Sequence, residues 1–150
     1  MSHKSVVAVL GSTACVVVFA NVAVGADRAA QAKAHLTPSQ VVPKQFVRVA
    51  SASGAFSATL TKTKKGYTMR WRLTYRDLSG KKAWAYIHKG KPGKFGAALY
   101  ILCSSCSSGV HGSAYVSPWG FNLMQTGRTY VTVRTKKNPA GEIRGQIRVS

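Results

Sequence analysis

A strict two-residue alternation between residues 67 and 76 constrains the fold more than any other feature of the chain. Large apolar side chains occupy the odd positions, and threonine or arginine occupies the even ones. The odd set is Tyr67, Met69, Trp71, Leu73 and Tyr75, and the even set is Thr68, Arg70, Arg72, Thr74 and Arg76. Successive side chains of a β-strand point to opposite faces, so this pattern predicts a strand with one packed face and one wet, basic face.

The same period predicts further strands on both sides of this segment. Residues 56–61 alternate in the same way, and Lys64-Lys65-Gly66 supplies a turn between the two strands. Residues 83–88 form a third predicted strand. The more continuously apolar run 95–103 is typical of a central strand.

The last part of the chain predicts a closing hairpin. Residues 130–134 alternate, Asn138-Pro139-Ala140-Gly141 has turn chemistry, and alternation resumes over residues 143–149. No segment carries a convincing helical stripe. Short strands with frequent turns predict an all-β domain, either an antiparallel β-sandwich or a barrel.

The charge balance of the chain narrows its chemistry. The 150 residues include 22 lysines and arginines against 3 acids, which gives a formal charge of +19. Three acids are too few for a calcium cage or a two-metal site. A glycosidase is not predicted either, because its pair of catalytic carboxylates would have to come from only three acids, Asp27, Asp77 and Glu142. No nucleophile-elbow motif accompanies the histidines and serines, so the sequence predicts no enzyme.

Basic residues concentrate around the predicted hairpin. If its two strands pair, one face of the sheet gathers Lys62, Lys64, Lys65, Arg70, Arg72 and Arg76. Such density attracts polyanions in a salt-dependent way. The predicted partners are anionic envelope polymers or acidic polysaccharide. Specific nucleic-acid binding is not predicted, because Tyr67, Trp71 and Tyr75 point away from the arginines. The alternative is a basic face that is only solvated.

The N-terminus is typical of an exported protein. Lys4 precedes an uncharged, largely apolar stretch that ends in Val24-Gly25-Ala26, a cleavage site with small residues at the required positions. This predicts a signal peptide over residues 1–26, a flexible leader over 27–43 and a folded domain over 44–150. A retained membrane anchor is the alternative by length. Polar and small interruptions of the stretch favour removal, which leaves a mature charge of +18 once Lys4 is lost. The predicted location is the periplasm or the medium.

Cys103 and Cys106 form a Cys-x-x-Cys pair. In an exported protein two nearby cysteines are expected to be oxidised, so a structural disulfide is predicted. A redox dithiol is the alternative, but that activity usually needs the pair at the start of a helix in a thioredoxin-like setting. No such helix is predicted, and no second cysteine pair completes a zinc knuckle.

Two motifs resemble the CHRD domain, a family named for chordin and widespread in exported bacterial proteins. The run Gly141-Glu142-Ile143-Arg144-Gly145-Gln146, after a strand and an Asn-Pro turn, is similar to the C-terminal signature of that family. Residues 85–90, Ala-Tyr-Ile-His-Lys-Gly, resemble its Ala-His-Ile-His-x-Gly segment. The resemblance covers about residues 46–149. It implies an immunoglobulin-like β-sandwich or barrel, related to copper/zinc superoxide dismutases, and it implies no settled activity.

The resemblance also implies structural roles for the motif residues: His88, Gly90, Gly141, Glu142, Arg144, Gly145 and Gln146. An ion pair between Glu142 and Arg144 is expected, because they share one face of a regular strand. Tyr86 and Arg134 replace two histidines that the family usually carries. A copper or zinc site needs three or four nitrogen or sulfur ligands, and arginine repels a cation. His88 and His111 are therefore weak metal candidates, and no cofactor is predicted. A dismutase-like metal protein is the alternative function.

Overall fold

The computed structural model describes residues 29–150, which form two antiparallel sheets packed face to face. Nine strands, one short 3-10 helix (Pro38–Gln40) and one α-helix, α1 (Pro118–Gln125), make up this part of the chain. The strands are β1 (Ala30–Leu36), β2 (Ser53–Lys62), β3 (Tyr67–Arg76), β4 (Ala83–Lys89), β5 (Ala98–Cys106), β6 (Val110–Val116), β7 (Thr129–Thr135), β8 (Ile143–Gln146) and β9 (Arg148–Val149).

The five-stranded sheet has the order β6-β3-β2-β1-β9, and the four-stranded sheet has the order β5-β4-β7-β8. The core lies between the two sheets. It receives large side chains such as Phe56, Met69 and Leu73 from the first sheet, and Ile87 and Val131 from the second. The all-β sandwich predicted from alternation is therefore confirmed.

The predicted hairpin between β2 and β3 is confirmed. The two strands pair from Ser53 opposite Arg76 to Lys62 opposite Tyr67. The buried residues of β3 are Met69, Trp71 and Leu73, and the exposed arginines alternate with them. The closing hairpin of β7 and β8 is also confirmed.

The flexible leader predicted over residues 27–43 is wrong from Ala30 onward. Residues 30–36 form β1, which lies inside the five-stranded sheet between β2 and β9. Ala32, Ala34 and Leu36 are buried in the core. The alternation is present in the sequence, but alanine methyls carry a weak apolar signal. The predicted signal peptide over residues 1–26 lies outside the described residues.

Two smaller expectations are also wrong. The run 95–103 does not form a central strand, because β5 starts only at Ala98 and lies at the edge of its sheet, with Ile101 largely exposed. Residues 118–125 form a helix, which begins with Ser117 accepting a hydrogen bond from the Gly120 amide and with Pro118 in the first turn. Over residues 29–150 no helix is long and apolar enough to cross a membrane.

The two sheets join where β1 ends against β8. Thr37 and Arg144 exchange two backbone hydrogen bonds, with N···O distances of 2.9 and 3.1 Å. A Cβ on Gly145 would lie only 2.4 Å from the backbone oxygen of His35. Glycine at this position is what allows the strands of the two sheets to approach so closely.

Candidate functional site

The outer face of the five-stranded sheet carries a row of polar side chains that crosses every strand. Arg148 lies opposite Lys33, Lys33 opposite Ser57, Ser57 opposite Arg72, and Arg72 opposite His111. Residues paired across strands share one face of a sheet. With strands about 4.8 Å apart, four gaps make this row roughly 19 Å long.

A second row runs parallel to the first. It consists of Gln31, Thr59, Arg70 and Ser113, again paired strand by strand. Between Arg70 and Arg72 the small side chains leave a shallow, open depression of about 540 Å³. Its lining includes Ser57, Thr59, His111, Gly112 and Ser113. Arginines above hydroxyl groups offer charged and neutral hydrogen-bond donors to anionic groups.

We name this surface the basic face, defined by Lys33, Arg70, Arg72, Arg76 and Arg148. All five side chains are exposed. The two acids in the described part of the chain are Asp77 and Glu142, and both lie outside the five strands of this sheet. The charge of the basic face is therefore not neutralised by carboxylates of its own strands.

The structure divides the cations that were expected on one face. Arg70, Arg72 and Arg76 lie on the basic face, whereas Lys64 and Lys65 lie in the turn before β3. Lys62 ends β2 opposite Tyr67, in the alternation of the core-facing side chains. Lys33 and Arg148 were missed. Alternation around Lys33 is the signal that could have found it.

Glu142 is fully buried at one end of the sandwich and is satisfied by neutral donors. The carboxylate accepts hydrogen bonds from the Ser79 backbone N–H, from the Ser79 hydroxyl at 2.6 Å and from the Thr135 hydroxyl. Burial alone raises the pKa of the Glu142 carboxyl. The hydrogen bonds of Ser79, Thr135 and Asn138 outweigh that effect and hold the pKa below its usual value.

The expected ion pair between Glu142 and Arg144 is wrong. Ile143 is the ladder partner of Val133, yet the Glu142 amide also donates to the Val133 oxygen at 2.8 Å. Two residues opposite one form a β-bulge, which breaks the two-residue alternation. Gly141, with a φ of 149°, precedes the bulge. Glu142 and Arg144 consequently have different partners.

Arg144 holds the loop between β4 and β5 against the four-stranded sheet. One guanidinium nitrogen, Nη2, donates to the backbone oxygens of Lys91 and Lys94 at 3.0 and 2.9 Å. The guanidinium carbon lies 3.5 Å from the centre of the Tyr130 ring, a cation–π contact. Gln146 donates to the backbone oxygens of Gly90 and Gly127, both at 2.8 Å.

His88 lies under the same loop and is almost fully buried. Its Nδ1 is 2.9 Å from the Gly96 oxygen, which can only accept, so Nδ1 carries the proton. Nε2 therefore accepts a hydrogen bond from Arg134 Nη2 at 3.2 Å. The His88 ring stacks on Tyr130 with 5.1 Å between centroids. Burial lowers the pKa of His88, and the nearby charges of Arg134 and Arg144 lower it further, against the effect of the Gly96 hydrogen bond.

A comparison with models of protein families shows to which family the chain belongs. The model of the CHRD domain matches residues 32–147. The chain belongs to the CHRD domain family. The match begins inside β1, in agreement with the place of that strand in the core. The chain matches no curated protein and no solved structure at a significant level.

The CHRD signature acts here as a set of loop anchors. Glu142 binds the segment after β3, Arg144 binds the loop after β4, and Gln146 binds that loop and the turn after α1. Gly145 admits the end of β1. These contacts explain why the glycines and polar residues of the signature follow one another so closely in β8.

The residues that replace the usual CHRD histidines lie next to His88. The guanidinium carbon of Arg134 is 4.9 Å from the Tyr86 ring centre, and the Tyr86 and His88 rings are 5.9 Å apart. The unprotonated nitrogen of His88, Nε2, accepts a hydrogen bond from the positively charged Arg134, so this cluster does not fit a copper or zinc ion. His111 lies on the basic face instead, away from His88. Residues 29–150 contain no group of three or more His, Cys, Asp or Glu side chains placed to hold a metal.

Cys103 and Cys106 are joined as a disulfide, with their Cα atoms 5.7 Å apart. The bridge lies inside β5 rather than in a turn after it. Ala83 and Ala85 of β4 pair with Cys106 and Cys103, so three steps along β5 match two steps along β4. The disulfide thus closes a bulge in an edge strand, a device that discourages pairing with other chains.

Proposed function

We propose that this CHRD-domain protein is an exported, non-enzymatic binding module that holds anionic polymers on its basic face. One observation carries the proposal. A row made of three cations, Ser57 and His111 crosses all five strands, and the described strands of that sheet carry no acidic side chain. A flat surface roughly 19 Å long suits an extended polymer with repeated negative groups better than a small molecule.

The acidic groups of a polysaccharide, whether carboxylate or sulfate, are the ligands that the arginines favour. Guanidinium groups bind such planar or tetrahedral oxygen groups with two parallel hydrogen bonds. The exposed setting makes each contact weak and screened by salt. Binding is therefore expected to depend on many contacts along one chain, and to fall steeply as ionic strength rises.

The absence of catalysis is part of the proposal. His88 is the one buried histidine in the described part of the chain, and both of its ring nitrogens are engaged in holding the fold. A general base needs a free nitrogen within reach of a substrate, which His88 does not offer. His111 is exposed on the basic face, but the lining of the depression there includes no carboxylate that could orient it. The disulfide supports export, because such bonds persist in oxidising compartments.

The test is retention on a heparin resin as salt increases. The double substitution Arg70→Glu with Arg72→Glu changes the charge by four units at the centre of the basic face. Elution is expected at a clearly lower salt concentration than for the parent, because the polymer loses its central contacts and meets repulsion.

The matched control is Lys91→Glu with Lys94→Glu, which makes the same change of charge in the exposed loop after β4. A small shift is expected, since net charge alone steers weakly at this distance. If both double variants elute at the same salt concentration, only total charge matters and the proposal is wrong. Metal analysis of the purified protein tests the dismutase-like alternative, which no cluster of metal-binding side chains within residues 29–150 supports.

A further inference from the structure

Phe46 is held in solvent by groups that are themselves anchored in the fold. Its side chain is 82% exposed, and that of Val47 is 42% exposed. Asn138, fully buried, donates to the Val47 oxygen at 2.8 Å and accepts from the Val47 amide at 2.9 Å. On the other side, the Gln45 side chain donates to the backbone oxygens of Pro38 and Glu142.

This arrangement differs from an apolar residue that is exposed by chance in a loose loop. Both neighbours of Phe46 are hydrogen-bonded to other segments of the fold, so the backbone at Phe46 is anchored while its ring faces solvent. Single exposed apolar side chains are common on protein surfaces, so what distinguishes Phe46 is its anchored backbone together with the charge of the neighbouring loops.

The same hydrogen bonds bring three loops together at one end of the sandwich. Asn138 ties the loop 44–48 to the turn 136–139, and Glu142 ties Ser79 to Thr135. These loops carry six exposed cations: Lys44, Arg48, Lys81, Lys82, Lys136 and Lys137. Asp77, the one exposed acid in the described residues, lies in the same loop as Lys81 and Lys82, so the six cations exceed the exposed carboxylates of this end by five. We name it the Phe46 end.

We infer that the Phe46 end docks onto a bilayer that contains anionic phospholipid. Phe46 and Val47 would enter the region below the headgroups, and the surrounding cations would contact the phosphates. Each Lys or Arg at such a surface strengthens binding about fivefold, and an aromatic ring adds the transfer of its apolar area.

The shape and charge of this end favour a bilayer over a folded protein partner. A stable protein interface buries about 800 Å² on each side and has a packed apolar centre. Here two exposed apolar side chains lie at an end whose loops carry six exposed cations, with Lys44 and Arg48 flanking them in sequence. A surface that is anionic at its boundary and apolar just beneath it complements that pattern.

This surface borders the basic face at Arg76, the last residue of β3, and is otherwise formed by different residues. It comprises loops at the end where β3 finishes and β4 begins, whereas the basic face is the broad outer side of the five-stranded sheet. Docking through the end leaves the broad side accessible. The two surfaces can therefore be tested independently, and either proposal can fail alone.

The experiment is co-sedimentation of the full mature chain with vesicles. Phosphatidylglycerol–phosphatidylcholine vesicles are compared with pure phosphatidylcholine vesicles. The parent is expected to partition onto the anionic vesicles only. Phe46→Ser is expected to weaken that partitioning about tenfold or more, since the ring contributes apolar area that serine lacks.

The matched control is Phe95→Ser. Phe95 is also largely exposed, at 61%, but it lies in the loop beyond the other end of β4. Its removal is expected to leave vesicle binding unchanged. The Phe46 ring is 82% exposed, whereas the centre of the Phe95 ring also lies 6.3 Å from that of His88. The melting temperature of each variant is therefore measured, and a cooperative transition in both shows that they fold.

Two results would overturn the inference. If the parent does not bind anionic vesicles even at low salt, the Phe46 end serves a protein partner instead. If Phe46→Ser binds as the parent does while Arg70→Glu with Arg72→Glu loses binding, lipid is only one more polyanion for the basic face. The expected pattern is the reverse, with heparin retention unchanged in Phe46→Ser.

Discussion

At the residue scale, His88 belongs to a motif of the CHRD family and has a structural role in this chain. Its two nitrogens bind the Gly96 oxygen and the Arg134 guanidinium, and its ring stacks on Tyr130. The sequence shows that Tyr86 and Arg134 occupy positions where the family usually has histidine. It could not show that both would contact His88, because that depends on pairing of β4 with β7.

A pH dependence of stability follows from this histidine. Its pKa in the folded protein lies below the ordinary value of 6.5, so the unfolded chain binds the proton more tightly. The stabilisation is fully present above about pH 6.5 and is lost as the pH falls below it. The free energy of unfolding of the parent is therefore expected to decrease between pH 7 and about pH 5.

The comparison is with His88→Gln, whose amide can keep one of the two hydrogen bonds and does not titrate in this range. The variant is expected to be less stable at pH 7 but flatter across the same interval, as measured by urea unfolding. Equal slopes in the two proteins would show that His88 does not titrate as inferred. His35 and His111 are retained in the variant, so any contribution of theirs to the pH slope is common to both proteins.

Glu142 illustrates the limit of residue-by-residue reasoning. A regular strand would place it on the same face as Arg144, and the alternation gave no sign of a bulge. The bulge arises from the turn at Gly141 and from the donors of Ser79 and Thr135, which come from other parts of the chain. Such non-local partners are not visible in the local pattern.

At the scale of elements, the strength of the apolar alternation separates the strands that could be predicted from those that could not. The pair of β2 and β3 presents large side chains at every second position, and the hairpin was predicted correctly. β1 presents mainly alanines on its buried face, and it was interpreted as a leader. Helix α1 is only eight residues long, and Ser117-Pro118 was its one sequence signal.

The place of β1 gives a direct prediction. A chain that starts at Val41 lacks Ala32, Ala34 and Leu36 from the core and leaves the ladder of β2 open. It is expected to lose cooperative thermal unfolding and near-ultraviolet circular dichroism. A chain that starts at Asp27 should keep both. A cooperative transition in the shorter chain would contradict the assignment of β1 to the domain.

At the scale of the whole molecule, the buried polar residues and the exposed cations of the sandwich have different roles. Buried polar residues such as Glu142 and Arg144 hold loops in place, and the exposed cations include those of the basic face and of the Phe46 end. The sequence predicted the excess of charge and the arginines of β3. It could not place Lys33 and Arg148 beside them, because β9 joins β1 only in the folded sheet.

The most direct test of the central claim is a nuclear magnetic resonance titration of the chain that starts at Asp27 with a short heparin oligosaccharide. Backbone shift changes are expected to concentrate in residues 31–35, 57–59, 70–72, 111–113 and 148, which together form the basic face. They should vanish as salt is raised. Changes spread evenly over all exposed lysines, or confined to the loop 90–97, would contradict the account.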